Sequence, residues 1–219
     1  MKNKIIVLAG LALAVAGLSA QAADVRVKGA IAPSSCSFSI TNSIIDYGNI
    51  SPSSLSPTNY TKLDKKSVPY TVKCSGQSKI KVGIKAVDNR SSTKIPNLML
   101  SQFDGRYKDL YNFGLGSTAK GQKVGGYVIH LRNSIADGKA VGIVSSENSG
   151  GRWEANSTEA VGHTANVTSW RAGNVYAPIL VNTVAGSVEV QAVINKTSDL
   201  DMSSQINLDG HATLELHYL

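Results

Sequence analysis

Ser91 and Lys94, and again Ser117 and Lys120, stand in an SxxK pattern, which makes an acylating serine when a helix brings the lysine onto the hydroxyl. Neither pair is accompanied by the SDN and KTG segments that complete such a site. The run Gly114-Leu115-Gly116-Ser117-Thr118-Ala119-Lys120-Gly121 resembles a phosphate cradle, but a P-loop needs Lys directly after its last glycine and Gln122 stands there. There is no GxSxG and no HExxH. The histidines, His130, His163, His211 and His217, are spread along the chain; His211, Glu215 and His217 would share one face of the last strand, where zinc would still require further ligands in tetrahedral array. The expectation is a protein that is not an enzyme and holds no cofactor and no metal.

The elements that would position any site begin after residue 22. Lys2 and Lys4 precede an apolar run from Ile5 to Leu18, and Ala20-Gln21-Ala22 is a small-residue cleavage site, the pattern of a secretory signal peptide. That run is shorter than the roughly 20 residues needed to span a bilayer as a helix, and no second one follows, so no transmembrane segment is expected. The domain organisation is then 1–22 as signal and 23–219 as one domain, exported to the periplasm or the cell surface. Loss of Lys2 and Lys4 leaves 20 basic against 15 acidic residues, a net charge of +5. The densest basic stretch is Lys65-Lys66, too sparse to track a phosphate backbone, which argues against nucleic acid as a partner.

Cys36 and Cys74 are the only cysteines, and an oxidising compartment favours joining them. Neither a CxxC spacing nor a neighbouring histidine supports a redox or metal pair. A bridge here would stabilise the fold by roughly 4 kcal/mol in the chain-entropy account.

Past the signal, apolar residues alternate with polar ones in short runs broken by Gly, Asn, Asp, Ser and Pro, the pattern of an all-β domain. Val25, Val27 and Ile31 form one set; Val68, Tyr70, Val72 and Cys74 another; Ile80, Val82, Ile84 and Ala86 a third. Tyr127 to Leu131, Ala140 to Val144, Val175 to Val184, Val188 to Ile194 and Ala212-Leu214-Leu216-Tyr218 continue the series. No stretch has a convincing helical period. A two-sheet sandwich is expected rather than a membrane barrel, because 6% aromatics cannot furnish the girdles a barrel requires. Ser51 to Lys66 and Ser145 to Asn174 read as loops. The second holds Trp153 and Trp170, which either pin it to the core or display a face to a ligand such as a glycan.

The last strand, Gly210 to Leu219, alternates cleanly to a penultimate Tyr218 and resembles the final strand of chaperone-usher pilins. Val25-Arg26-Val27-Lys28-Gly29-Ala30-Ile31 before Cys36, Ile45-Asp46-Tyr47-Gly48-Asn49-Ile50, and Val68 to Cys74 are similar to the early pilin strands. A closer likeness is to the GltF-type family of exported, pilin-like proteins of unknown function. It rests on Asp46-Tyr47-Gly48, Asp88-Asn89-Arg90, Phe113-Gly114-Leu115-Gly116, Gly121-Gln122-Lys123-Val124-Gly125 and Tyr218-Leu219, in that order.

The resemblance implies an immunoglobulin-like sandwich lacking its final strand, with a groove that a periplasmic chaperone, and then a neighbouring pilin subunit at an usher, fills by strand addition. Ala212, Leu214, Leu216 and Tyr218 would wall that groove, and the carboxylate of Leu219 would be anchored by basic chaperone residues. Pilins usually carry a glycine at a position that is Ile206 here, with Gly210 arriving later. A first strand at Val25 would leave no arm to donate, implying a fimbrial tip, minor or non-polymerising subunit. The alternative expectation is a stand-alone periplasmic sandwich that binds carbohydrate through Trp153 or Trp170.

Overall fold

The alternation at Val68, Tyr70 and Val72 becomes the inward face of a nine-residue strand, and the same holds for most of the apolar sets. The computed structural model describes residues 26–28, 35–76 and 78–219. The signal segment 1–22 lies outside these. So does the expected strand Val25–Ile31, apart from residues 26–28, which are irregular.

Among the described residues the strands are β1 (Cys36–Ile40), β2 (Thr61–Lys62), β3 (Lys66–Cys74), β4 (Val82–Asp88), β5 (Phe113–Gly114) and β6 (Gly125–Ala136). They continue as β7 (Lys139–Ala140), β8 (Gly142–Ser146), β9 (Glu154–Ala155), β10 (Val167–Arg171), β11 (Thr183–Ile194) and β12 (Ala212–Tyr218). One antiparallel sheet runs β1-β3-β11-β6-β5, with β2 on β11 and β7 on β6; the other runs β12-β4-β10-β8-β9. Tyr70, Val72, Ile129 and Leu131 from the first sheet meet Val82, Ile84, Ile143 and Trp170 from the second in one core. This is an all-β sandwich. Cys36 and Cys74 stand directly opposite each other on β1 and β3 and are joined as a disulfide.

Three expectations change. Trp170 is on no loop: it is a β10 residue, 1% exposed, its indole Nε1 donating to the Tyr70 hydroxyl at 3.0 Å. Indole N–H can only donate, so the Tyr70 hydroxyl keeps its own proton for Ser134 Oγ, 2.7 Å away, and the chain of bonds ties the sheets together. The span Ser145–Asn174 therefore holds the end of β8, then β9 and β10, while Val175 to Val184 is irregular until β11 starts at Thr183. Likewise Ser51–Lys66 includes β2.

The segment between β4 and β5 carries one α-helical turn, α1 (Leu98–Gln102), between two 3-10 turns, and covers the outer side of the first sheet. Leu98, Met99, Tyr107 and Tyr111 pack there on Val128 and Val193, which is why β6 is buried on both faces along most of its length. His130 lies beneath this cover, 1% exposed, with Nε2 at 2.9 Å from the Tyr107 hydroxyl. Burial, reinforced by Arg132, pushes its pKa down to about 4.

The folded state thus keeps the ring neutral while the unfolded chain protonates it near the ordinary histidine value, so stability is lost as pH falls from about 6.5 to about 4. The loss from this one group is about 3 kcal/mol. Urea unfolding at pH 7 and pH 4.5 is expected to show it, and His130→Gln should flatten that part of the profile. An unchanged profile in the variant would rule out His130 as its source.

Candidate functional site

Strand β12 is paired on one side only: β4 lies against it, and no described residue pairs with its other edge. Asn89 donates to the His211 carbonyl and Leu219 to that of Lys81. These two bonds set the antiparallel phase, so odd-numbered residues bond to β4 and the backbone groups of Ala212, Leu214, Leu216 and Tyr218 point to the open edge. The side chains of Ala212, Leu214 and Leu216 turn inward and are only half-buried against the core. The strand therefore presents unpaired backbone groups beside incompletely covered apolar side chains.

The space along that edge is an apolar trough between β12 and the irregular stretch that follows β1. A basin of about 370 Å³ is lined by Ile40, Ile45, Val68, Val188, Ala212 and Leu214 among others. It meets a second, of about 780 Å³, at Ile44, Ile45, Tyr47 and Leu208, which continues past Leu55, Leu200 and Ile206. At the other end the trough closes, because the Tyr218 hydroxyl accepts the Cys36 backbone N–H at 2.7 Å. Ile44, on the rim, is 72% exposed.

The motifs of the sequence resemblance build the two sides of this trough. In Asp46-Tyr47-Gly48 the Asp46 carboxylate accepts the Gly48 N–H at 2.7 Å, with Gly48 at φ +64°, an Asx turn that swings Tyr47 across the trough. The Tyr47 hydroxyl donates to the Val190 carbonyl and accepts from the Ala192 N–H, both at 3.2 Å, pinning the stretch to β11. On the far side, Asp88 accepts the N–H groups of Arg90 and Gly114 at 2.9 and 3.0 Å. Arg90 grips both carboxylate oxygens of Asp209, just before β12, at 2.9 and 3.0 Å. Those bonds hold the Asp209 carboxyl below its ordinary pKa. Together these contacts hold the approach to β12 in place.

Gly114 has a steric reason to be glycine, since a Cβ there would stand 2.1 Å from the Arg90 carbonyl oxygen. Gly114→Ala is expected to cost about 3 kcal/mol through forced backbone movement, read by urea unfolding. A cost within experimental error would show that the Arg90 turn moves freely.

The site residues expected from the sequence are divided by the fold. Ala212 and Leu214 line the trough, Leu216 packs half-buried on the core further along the strand, and the Tyr218 hydroxyl meets Cys36 at the end. Leu219 does not join them: its backbone bonds to Lys81 and it lines a cleft with Trp153 on the solvent side of β12. Trp153 is half-exposed there, separated from the buried Trp170. The part played by Ile44, Tyr47 and Leu208 was not anticipated, although Asp-Tyr-Gly is an Asx-turn signal that brings an aromatic ring with it. Among the described residues no helix is long and apolar enough to cross a membrane. The disulfide is consistent with export.

Residues 25–128, which contain the Asp46, Asp88, Phe113 and Gly121 motifs, match a family described as a protein of unknown function, DUF1120. The chain is also 27% identical to Protein GltF of Escherichia coli (strain K12), over 95% of this chain and 94% of GltF. The two matches support the likeness to GltF read from the motifs, and the chain is similar to GltF along nearly its whole length.

Proposed function

We propose that this protein is an exported, non-enzymatic fimbrial-type subunit whose sandwich is completed by a strand from another chain, first a periplasmic chaperone and then a neighbouring subunit or usher-bound partner. The observation that carries this reading is the open edge of β12 beside the apolar trough. A strand laid there satisfies the outward backbone groups of Ala212, Leu214, Leu216 and Tyr218, and its alternate side chains enter the basins. An uncovered edge of this kind is an aggregation hazard, which a chaperone would suppress. The chain-end placement expected from a strand at Val25 rests on residues that, apart from 26–28, lie outside the described ones; the proposal covers the trough and its occupant.

The experiment is periplasmic expression of the full chain alone and together with the fimbrial chaperone of the same cell. The expected result is aggregation or apolar-dye binding by the chain alone and a soluble one-to-one complex with the chaperone. A monodisperse chain that binds no dye and ignores the chaperone would overturn the reading in favour of a self-complete sandwich.

A further inference from the structure

The solvent side of β4 and β12 carries a second feature, formed by the odd-numbered residues that face away from the core. Two open clefts, of about 460 and 470 Å³, meet at Ser149. The first is bounded by Lys85, Lys94, His163, Thr164, Asn166 and Glu215. The second is bounded by Lys81, Trp153, Pro178, His217 and Leu219. Together they form one furrow, with the two strands as its floor and the 148–153 and 163–166 turns as its wall.

The wall is held in an uncommon backbone conformation. Ser149, Thr164 and Ala165 have φ of 59°, 58° and 52°, and the Ser149 N–H donates to the Ala165 carbonyl at 2.8 Å. For a β-branched threonine this region is a genuine outlier, and residues of this kind gather where a ligand is clamped. Asn166, 2% exposed, accepts through Oδ1 from Gly162 and Thr168, yet its Nδ2 is buried without a partner among the described residues. A donor left bare in that way costs free energy unless something accepts from it.

Charge and chemistry narrow the ligand. Three lysines border the furrow, and among the described residues neither Lys81 nor Lys85 has a salt-bridge partner. Lys94 lies 3.7 Å from Asp109. In the first cleft the solvent-facing carboxylate is Glu215, since both oxygens of Asp88 already accept backbone N–H groups. Ser91, Ser149 and Thr164 supply hydroxyls, and Trp153 supplies one half-exposed aromatic face. A flat apolar face framed by hydroxyl, amide and ammonium groups suits the apolar side of a pyranose ring whose substituents are hydroxyls and anions.

We propose that this furrow binds an acidic saccharide, with one ring stacked on Trp153 and carboxylate or sulfate groups held by Lys81 and Lys85. Along β12 from Ala212 to His217 the site and the trough use opposite faces of the strand, Tyr218 alone bordering both, and a strand paired at the open edge leaves Lys85, Glu215 and His217 free.

The test titrates the full chain, as purified with whatever partner keeps it soluble, with three oligosaccharides of equal length: an oligogalacturonate, a heparin fragment and a neutral maltooligosaccharide. Calorimetry gives affinity, and tryptophan emission reports Trp153 because Trp170 is sealed in the core. One or both acidic probes are expected to bind with an emission change, the carboxylated and sulfated arms separating the two chemistries, and the neutral probe to bind roughly tenfold weaker or less. Trp153→Ala and the double variant Lys81→Gln/Lys85→Gln are each expected to weaken binding by roughly tenfold or more. Lys196→Gln, outside the furrow, should leave it unchanged. Should Trp153→Ala misfold, the lysine pair carries the test alone. Absence of binding to either acidic probe, equal binding of the neutral one, or equal losses in Lys196→Gln and the double variant would each overturn the proposal.

Discussion

Trp170→Ala is expected to lower unfolding stability by about 4 kcal/mol, the cost of removing a large ring from a closed core. The ring is 1% exposed and stacks on Tyr70 with centroids 6.3 Å apart. Its loss leaves a cavity between the sheets and also removes the N–H that the Tyr70 hydroxyl accepts at 3.0 Å. Trp170→Phe loses that donor and part of the bicyclic ring but keeps a six-membered ring in the core, so it should cost about half as much. Trp153→Ala, at a half-exposed site, should cost less than about 1 kcal/mol. Urea unfolding of the three variants checks the ordering. Equal losses at the two tryptophans would mean that Trp153 is as much a core residue as Trp170, and the furrow would lose its platform.

The second large effect is at the trough. A strand that binds the folded chain and not the unfolded one stabilises by about 4 kcal/mol when present at a thousandfold excess over its dissociation constant. For a domain of this length that raises the melting temperature by roughly 10 °C. Leu214→Asp places a carboxylate among Ile40, Val68 and Val188 at the trough wall, and should abolish both the complex and the shift. Glu215→Gln, the next residue on the same strand but on its opposite face, should keep both. Scanning calorimetry of the chaperone complex makes the comparison. If Leu214→Asp bound and melted like the parent, the occupant of the trough could not be a strand beside β12.

Some of this architecture was legible because period-two alternation reports a strand with one face buried. Val68-Tyr70-Val72, Val82-Ile84-Ala86 and Ala212-Leu214-Leu216 are such strands, and the structure places all three sets on the core. Strand β10 was not legible for the complementary reason. It lies between β4 and β8, and Thr168 and Ser169 are as buried as Val167 and Trp170. Ser169 donates to the Val82 carbonyl at 2.7 Å, so a polar residue sits inside with its hydrogen bond satisfied and the alternation disappears. Val175 to Val184 differs in the opposite direction, an apolar run whose pairing before Thr183 is a single bridge between Val181 and Ile80; Val175 and Leu180 are 64% and 53% exposed.

Taken alone, the residues determined what is local: the oxidisable cysteine pair, and which side chains of the last strand share a face. They could not determine which edge of that strand lacks a neighbour, because a missing partner leaves no mark on the residues that would have met it. Nor could they tell Trp153 from Trp170, since exposure depends on which distant segments close over a side chain. Both were decided by tertiary structure, through the pairing of β12, among the described residues, with β4 alone and the burial of β10 between its neighbours. The two faces of one seven-residue strand thereby acquire separate surroundings, an apolar trough within and a lysine-bordered furrow without.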